Sequence, residues 1–164
     1  MTARTAFTTD EWNLLRSVPA LLAAGVAAAD PSGLFSSIKE ATGGMKGMVE
    51  GLQSAKGVEL AAELLADRSI PGMPDPQSLM GEGNREQQLA GFRKASLEHV
   101  RKALDLVGTK ASPDEAAAYR SMLMNVATSA ANAAKEGGFL GFGGERVSAG
   151  ERSYLDELKG ILAT

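Results

Sequence analysis

The chain has 164 residues, a net charge of −3 and a hydrophobic fraction of 44%, which are ordinary values for one soluble globular domain. It contains no cysteine, so thiol catalysis, disulfides and thiolate metal sites are excluded. Its 17 basic residues form no run of the kind that marks nucleic-acid binding, and its longest weakly polar run is too short to span a membrane, which needs about 20 residues.

Almost every segment carries the apolar spacing of a helix, and no alternating run of β-branched or aromatic residues indicates a strand. The first helix is expected to begin at Thr8 or Thr9, either of which can cap it. Pro19 lies inside this helix and lacks an N–H, so we expect a kink or a split near residues 17–18. The turn signal at residues 30–33 is expected to end the helix.

The second helical segment, residues 34–52, contains four glycines, each of which weakens a helix by about 1 kcal/mol relative to alanine. Glycines at this spacing permit close approach of another helix, and a hinge is the alternative interpretation. A short third helix is expected over about residues 57–66. Residues 67–84, with three prolines and three glycines, then form a long irregular connection of a kind that is often functional or mobile.

The fourth helix is expected over residues 85–107, with Gly108 ending it. The fifth helix has the clearest start in the chain, because Ser112 can cap it, Pro113 suits its first position and Glu115 completes a capping box. The second half of this helix reads ATSAANAA, so its surface is made of small residues and a neighbouring backbone can come very close.

A glycine-rich loop with three large apolar side chains, Phe139, Leu140 and Phe142, follows the fifth helix. These side chains either fill the space between the last two helices or form an exposed contact for a partner, since exposed apolar patches mark interactions. Insertion into a membrane surface is a third interpretation, although no cluster of basic residues flanks the loop. The last helix then begins with a second capping box, Ser148 to Glu151.

These elements predict an all-α fold: a single domain over residues 1–164, with about six helices packed in antiparallel pairs. Two alanine-rich helices each run into an acidic residue and glycine, and a glutamate follows in the next helix. This likeness predicts a repeat of helical hairpins within the chain.

The last forty residues resemble the tellurite-resistance (TerB-like) family of all-helical proteins. The matching positions are Ala133, Ala134, Glu136, Gly137, Val147, Ser148, Glu151, Leu155 and Leu158, with a fainter echo at Asp30, Gly33 and Glu40. The chain departs from the family pattern in two ways. Glu136 stands where the family has aspartate, and an apolar insertion separates Gly137 from Val147.

Acidic residues at the two similar places provide candidate oxygen ligands for a divalent cation such as calcium or magnesium. The candidates are Asp30, Glu40, Glu136 and Glu151. Capping and a solvated surface are the alternative roles for these carboxylates. His99, the only histidine, is expected to be a boundary residue of its helix, because zinc sites usually need several ligands.

The absence of a complete catalytic signature favours a non-enzymatic interaction or oligomerisation module, with a protein partner or a second copy as ligand and a weak metal site. The alternative is an enzyme or small-ligand protein with an apolar pocket between helices. Six methionines could line that pocket: Met45, Met48, Met73, Met80, Met122 and Met124. Because the start of the chain lacks a secretory signal and alanine is abundant, we expect a cytoplasmic bacterial protein.

Overall fold

A computed structural model describes residues 4–29, 37–55, 57–135 and 147–164. Within these ranges the chain forms helices and no strand, which confirms the all-α class. The helices are α1 (Thr9–Ala27), α2 (Ser37–Ser54), α3 (Glu59–Ala66), α4 (Pro76–Leu79), α5 (Arg85–Lys110), α6 (Pro113–Lys135) and α7 (Ala149–Leu162). The antiparallel pairing, the repeat of hairpins and the single domain remain predictions.

Three helices begin at capping boxes; the sequence predicts the boxes of two of them, at Ser112 and Ser148, and for α1 it leaves the cap open between Thr8 and Thr9. In each box the N-cap hydroxyl accepts a hydrogen bond from the third helical N–H, and the third residue's carboxylate accepts one from the N-cap N–H. The boxes pair Thr8 with Glu11, Ser112 with Glu115, and Ser148 with Glu151. These starts are local, so sequence alone located two of them to the residue and the third to one of two neighbouring threonines.

The expected end of the fourth helix was wrong, because Gly108 lies inside α5 and the helix continues to Lys110. Contacts with residues outside α5 stabilise the last turn of this helix. The Lys110 ammonium donates to a Glu11 carboxylate oxygen at 2.6 Å and to the Ala6 carbonyl at 3.2 Å. These contacts with the start of α1 offset the conformational freedom of one exposed glycine.

The expected helix count was also too low, since α4 forms within the connection that the sequence marked as irregular. The carboxylate of Asp75 accepts a hydrogen bond from the Gln77 N–H at 3.1 Å, and Pro76 occupies the first helical position. Both are start signals of an ordinary helix. The result is one turn of helix that divides the long connection in two.

Helix α1 contacts α2, α5, α6 and α7. Its core-facing side chains recur every three or four residues, as an amphipathic helix requires. The most deeply buried are Trp12, Leu15, Val18, Leu22 and Val26. Helix α1 therefore packs against four other helices in the described part of the chain.

The predicted split at Pro19 does not occur: α1 is one helix through the proline. A proline removes the N–H that would bond to the carbonyl four residues earlier, which here belongs to Leu15. The Tyr119 hydroxyl of α6 donates to that carbonyl at 2.8 Å, and both groups are buried. Burial raises the pKa of Tyr119 well above its usual value, so the hydroxyl remains a donor. A distant side chain thus replaces the missing backbone hydrogen bond.

Helices α2 and α6 approach through a glycine face. Gly43, Gly47 and Gly51 are buried, and a Cβ placed at Gly47 would lie 2.5 Å from the Asn125 carbonyl oxygen. A Cβ at Gly43 would lie 2.6 Å from the Ser129 carbonyl oxygen. The predicted close approach of another helix is confirmed at this interface. The small-residue half of α6 is covered here by the glycines of α2.

We predict that Tyr119→Phe lowers the free energy of unfolding by about 1–3 kcal/mol, because it leaves the buried Leu15 carbonyl without a donor. In a Pro19→Ala background the restored backbone N–H can bond to that carbonyl, so the same change should cost less than about 1 kcal/mol. Urea unfolding of the four proteins in this double-mutant cycle measures the difference. Equal losses of unfolding free energy in both backgrounds would contradict the idea that Tyr119 replaces the N–H that Pro19 lacks.

We also predict opposite effects of alanine at two helical glycines. Gly47→Ala should destabilise the protein, because overpacking against the Asn125 carbonyl costs about 1–3 kcal/mol. Gly108→Ala should stabilise it by up to about 1 kcal/mol, since no atom lies within 4 Å of the added carbon. Chemical denaturation measures both changes, and stabilisation by both would show that the α2–α6 interface can open without cost.

Candidate interaction surface

The first half of the long connection is anchored to α1 by one carboxylate. Asp67 accepts hydrogen bonds from the Trp12 indole N–H at 2.8 Å, from the Ser69 hydroxyl at 2.6 Å and from the Ser69 N–H at 3.0 Å. The Arg16 guanidinium lies 3.4 Å from the same carboxylate. These hydrogen bonds, with the nearby arginine, lower the pKa of Asp67 to about 2.

Arg16 completes the anchor with contacts to the backbone that follows. Its guanidinium donates to the Ser69 hydroxyl at 2.8 Å, to the Asp67 carbonyl at 3.3 Å and to the Ser69 carbonyl. Only 9% of the Arg16 side chain is exposed. We call this arrangement of Trp12, Arg16, Asp67 and Ser69 the clamp; it holds the residues that follow α3 against α1.

Beyond the clamp, residues 70–75 run without helix or turn, and apolar side chains point outward. Ile70 is 93% exposed and Met73 is 48% exposed, whereas Pro71 and Pro74 are half-buried. The two half-buried positions are therefore three residues apart, which is the period of an extended proline-type helix. A Cβ placed at Gly72 would lie 3.7 Å from the Asn13 amide, so the 70–75 segment lies against α1. Ile70 and Met73 thus form an exposed apolar ridge, and the clamp fixes the residues that precede it.

A groove lies between α5 and α7, and we call it the α5–α7 groove. Its volume is about 410 Å³, within the 300–1,000 Å³ range of ligand sites. Ala90, Leu97 and Tyr154 contribute its apolar surface. Its charged and polar lining consists of Arg93, Lys94, Glu98, Arg101, Ser153 and Glu157.

Hydrogen bonds fix the walls of the groove. The Tyr154 and Ser96 hydroxyls lie 2.6 Å apart in a buried contact over Gly25, and the Ser96 hydroxyl also donates to the Arg93 carbonyl at 2.7 Å. The Arg93 guanidinium donates to the Ala28 carbonyl at 3.1 Å, at the end of α1. Burial raises the pKa of Tyr154 above its usual value. The groove is therefore built on the last third of α1.

Most of the predicted site residues lie outside the described residues. These are Phe139, Leu140 and Phe142 of the predicted interaction loop, and Asp30 and Glu136 of the predicted metal site. Glu40 falls within α2, of which only the backbone is described at this position. The interpretation of the apolar loop and the pairing of these carboxylates stay predictions.

Glu151 is the one predicted ligand whose side chain is described, and it is 2% exposed. One carboxylate oxygen accepts the Ser148 N–H at 2.7 Å, while the other is buried without a hydrogen-bond partner. Among the described residues, no group of three or more acidic or histidine side chains could hold a metal ion. A cation at Glu151 stays a prediction. If a cation binds at Glu151, calcium or magnesium should raise the Tm of the wild type but not the Tm of Glu151→Gln. This variant keeps the capping box, because glutamine can also accept the Ser148 N–H.

His99 and the methionines do not form a site together. His99 is half-buried and its Nδ1 lies 2.8 Å from the Ala95 carbonyl, which fits the predicted boundary role. Met122 is buried, whereas Met45, Met73 and Met80 are each more than 40% exposed. The methionines therefore do not all line one interior pocket, and none of them lines the α5–α7 groove.

The sequence interpretation missed both the exposed ridge and the groove. The ridge has a signal, because Pro71 and Pro74 stand three residues apart beside Ile70 and Met73 in a long connection. The groove has none, since its residues come from two helices that are separated by α6. Only their packing on α1 brings them together.

Comparison with known proteins gave no match for this chain. No family model matches the sequence, and no curated protein or solved structure is detectably similar. The resemblance to the TerB-like family stays a prediction. In the described ranges, no helix combines the length and the apolar character needed to cross a membrane.

We predict that Asp67→Asn lowers the free energy of unfolding at pH 7 by about 1 kcal/mol or less, since the carboxylate is partly exposed. The Asp67 pKa lies below its unfolded value, so its contribution is present above about pH 4 and is lost as the pH falls towards 2. Unfolding at pH 7 and pH 2.5 should show the two proteins converging at the lower pH. The exposed Asp105→Asn variant serves as the control, and a difference that persists at low pH would contradict the role of the charge.

Proposed function

We propose that this protein is a non-enzymatic helical module that binds a protein partner through the 70–75 segment. The supporting observation is Ile70, which is 93% exposed on a backbone whose base is held by the clamp. A large apolar side chain in water has no folding benefit at this position. Exposed apolar surface of this kind marks interaction sites.

The form of the segment suits recognition by a partner. An extended, proline-containing backbone loses little conformational freedom on binding, because proline has already fixed part of it. The clamp reduces that loss further by holding Asp67 and Ser69 against α1. Less of the free energy gained by burying Ile70 and Met73 against a partner is then offset by the ordering of the segment.

The residues with shifted pKa values support a binding module more than a catalytic site. Asp67 holds the clamp, Glu11 bonds to Lys110 and to the Thr8 N–H, Tyr119 bonds to the Leu15 carbonyl, and Tyr154 pairs with Ser96. Each of these groups is engaged in a structural contact. The alternative of an apolar interhelical pocket has weaker support, since the space beside Leu52 has no room for a water molecule and the larger α5–α7 groove is lined mostly by charged and polar residues.

The test is photo-crosslinking with a reactive amino acid at position 70, followed by binding measurements with the purified crosslinked partner. The Ile70→Ser/Met73→Ser variant should bind that partner about tenfold more weakly or worse, because burying an isoleucine contributes about 1.5–3 kcal/mol. Met45→Ser is the matched control, since Met45 is 54% exposed on α2. The proposal is wrong if the double variant binds its partner and self-associates as the wild type does.

A further inference from the structure

We propose that Met73 is a modification site, at which oxidation of the sulfur by a peroxide makes the apolar ridge polar and releases the partner. This inference rests on the proposed function and names the regulation of that site. Three observations carry it: the chain has no cysteine, Met73 is half of the exposed ridge, and the segment is anchored on both sides.

Methionine is the only source of sulfur in this chain, which has seven methionines and no cysteine. A peroxide therefore meets no thiolate that would react in place of a methionine. The reaction moves one oxygen atom: the O–O bond of the peroxide breaks and an S–O bond forms at Met73. The thioether loses two electrons and becomes a sulfoxide, while hydrogen peroxide is reduced to water.

Accessibility divides the methionines of the described ranges. Three of them have large exposed fractions: Met45 with 54%, Met73 with 48% and Met80 with 42%. The others are buried, as Met122 is, or half-buried, as Met48 and Met124 are. Susceptibility to oxidation follows exposure, so the first three should react first. Only Met73 among them lies in the 70–75 segment.

Anchors on both sides of the segment keep Met73 at the surface. On one side the clamp holds Asp67 and Ser69 against α1. On the other side, beyond α4, the backbone of Gly81 packs directly on Gly91 of α5. The chain between these anchors runs without helix or turn as far as Asp75. The sulfur is therefore presented to a solute oxidant in the same conformation that presents the ridge to a partner.

Oxidation changes the ridge where the partner binds it. Ile70 and Met73 stand three residues apart, so they share one face of a proline-type backbone. A partner pocket that accepts the thioether would have to bury the sulfoxide oxygen, which is costly without a hydrogen bond. In the free protein that oxygen stays in water. Oxidation should therefore weaken binding without lowering the stability of the fold.

The same coupling acts in the reverse direction. A bound partner covers Met73 and should slow its oxidation, whereas Met45 on α2 lies outside the segment and should react as before. Coupling between two events at one site is reciprocal in free energy. Protection of Met73 by the partner is thus a second measure of the same contact.

The test treats the full chain with hydrogen peroxide and follows each methionine by peptide mass spectrometry. Binding is then measured with the partner purified by crosslinking at position 70. Once Met73 is oxidised, the affinity should fall about tenfold or more, because the partner must desolvate the sulfoxide. A pair of methionine sulfoxide reductases, one for each sulfoxide epimer, should restore it.

Variants at two methionines separate this effect from general oxidative damage. Met73→Leu keeps a side chain of similar volume without sulfur, so it should bind as the wild type does and become insensitive to peroxide. Met45→Leu is the matched control and should stay as sensitive as the wild type, since Met45 is equally exposed but lies on α2. Both variants and the oxidised protein should keep the wild-type Tm, because the changed side chains are exposed.

A protein that carries the sulfoxide at Met73 and still binds with wild-type affinity overturns the inference. A Met73→Leu protein that remains sensitive to peroxide overturns it as well. If oxidation has no effect but Ile70→Ser/Met73→Ser loses the partner, the proposed function stands and only its regulation is wrong. If that double variant keeps the partner, the proposed function itself fails.

Discussion

The hydrogen bond from Tyr119 to the Leu15 carbonyl is the contact on which the rest of the structure depends. Helix α1 contains a buried proline, and a proline in a helix interior costs about 3 kcal/mol or more through its missing hydrogen bond and its clash with the preceding turn. Tyr119 supplies a donor from α6 and so removes part of that cost. Because α1 contacts α2, α5, α6 and α7, a break at Pro19 would disturb several interfaces at once.

The two candidate surfaces are both positioned by α1. Trp12 and Arg16 hold the clamp near its beginning, whereas Gly25 and Ala28 support the groove near its end. A continuous α1 therefore sets the distance between the ridge and the groove. If α1 were split at Pro19, the two surfaces could move relative to each other. The hydrogen bond that preserves the helix thus also keeps the clamp and the groove at a fixed separation along α1.

The interface between α2 and α6 explains why a chain with so few aromatic residues can form a core. Glycines on α2 lie over small residues and carbonyl groups of α6, so the two backbones approach closely. Close packing gains dispersion contacts that large side chains would otherwise provide. The cost is the weak helix propensity of the glycines, which makes α2 dependent on its partner. Ser129 and Ala133, in the small-residue half of α6, lie against Gly43 and Gly47 of α2.

The sequence by itself determined the helical class and the starts of α6 and α7, because a capping box is made by residues three positions apart. Ser112 and Ser148 could each be identified without knowledge of the fold, whereas the cap of α1 was narrowed only to Thr8 or Thr9. It also predicted that glycines would permit close helix packing, but it did not identify α6 as the partner. Tertiary structure decided that α1 passes Pro19 unbroken and that α5 passes Gly108, since the stabilising groups, Tyr119 and Glu11, are about 100 residues away in the chain. Tertiary structure alone also formed the groove and left Ile70 in solvent, because burial depends on which surfaces meet and not on spacing along the chain.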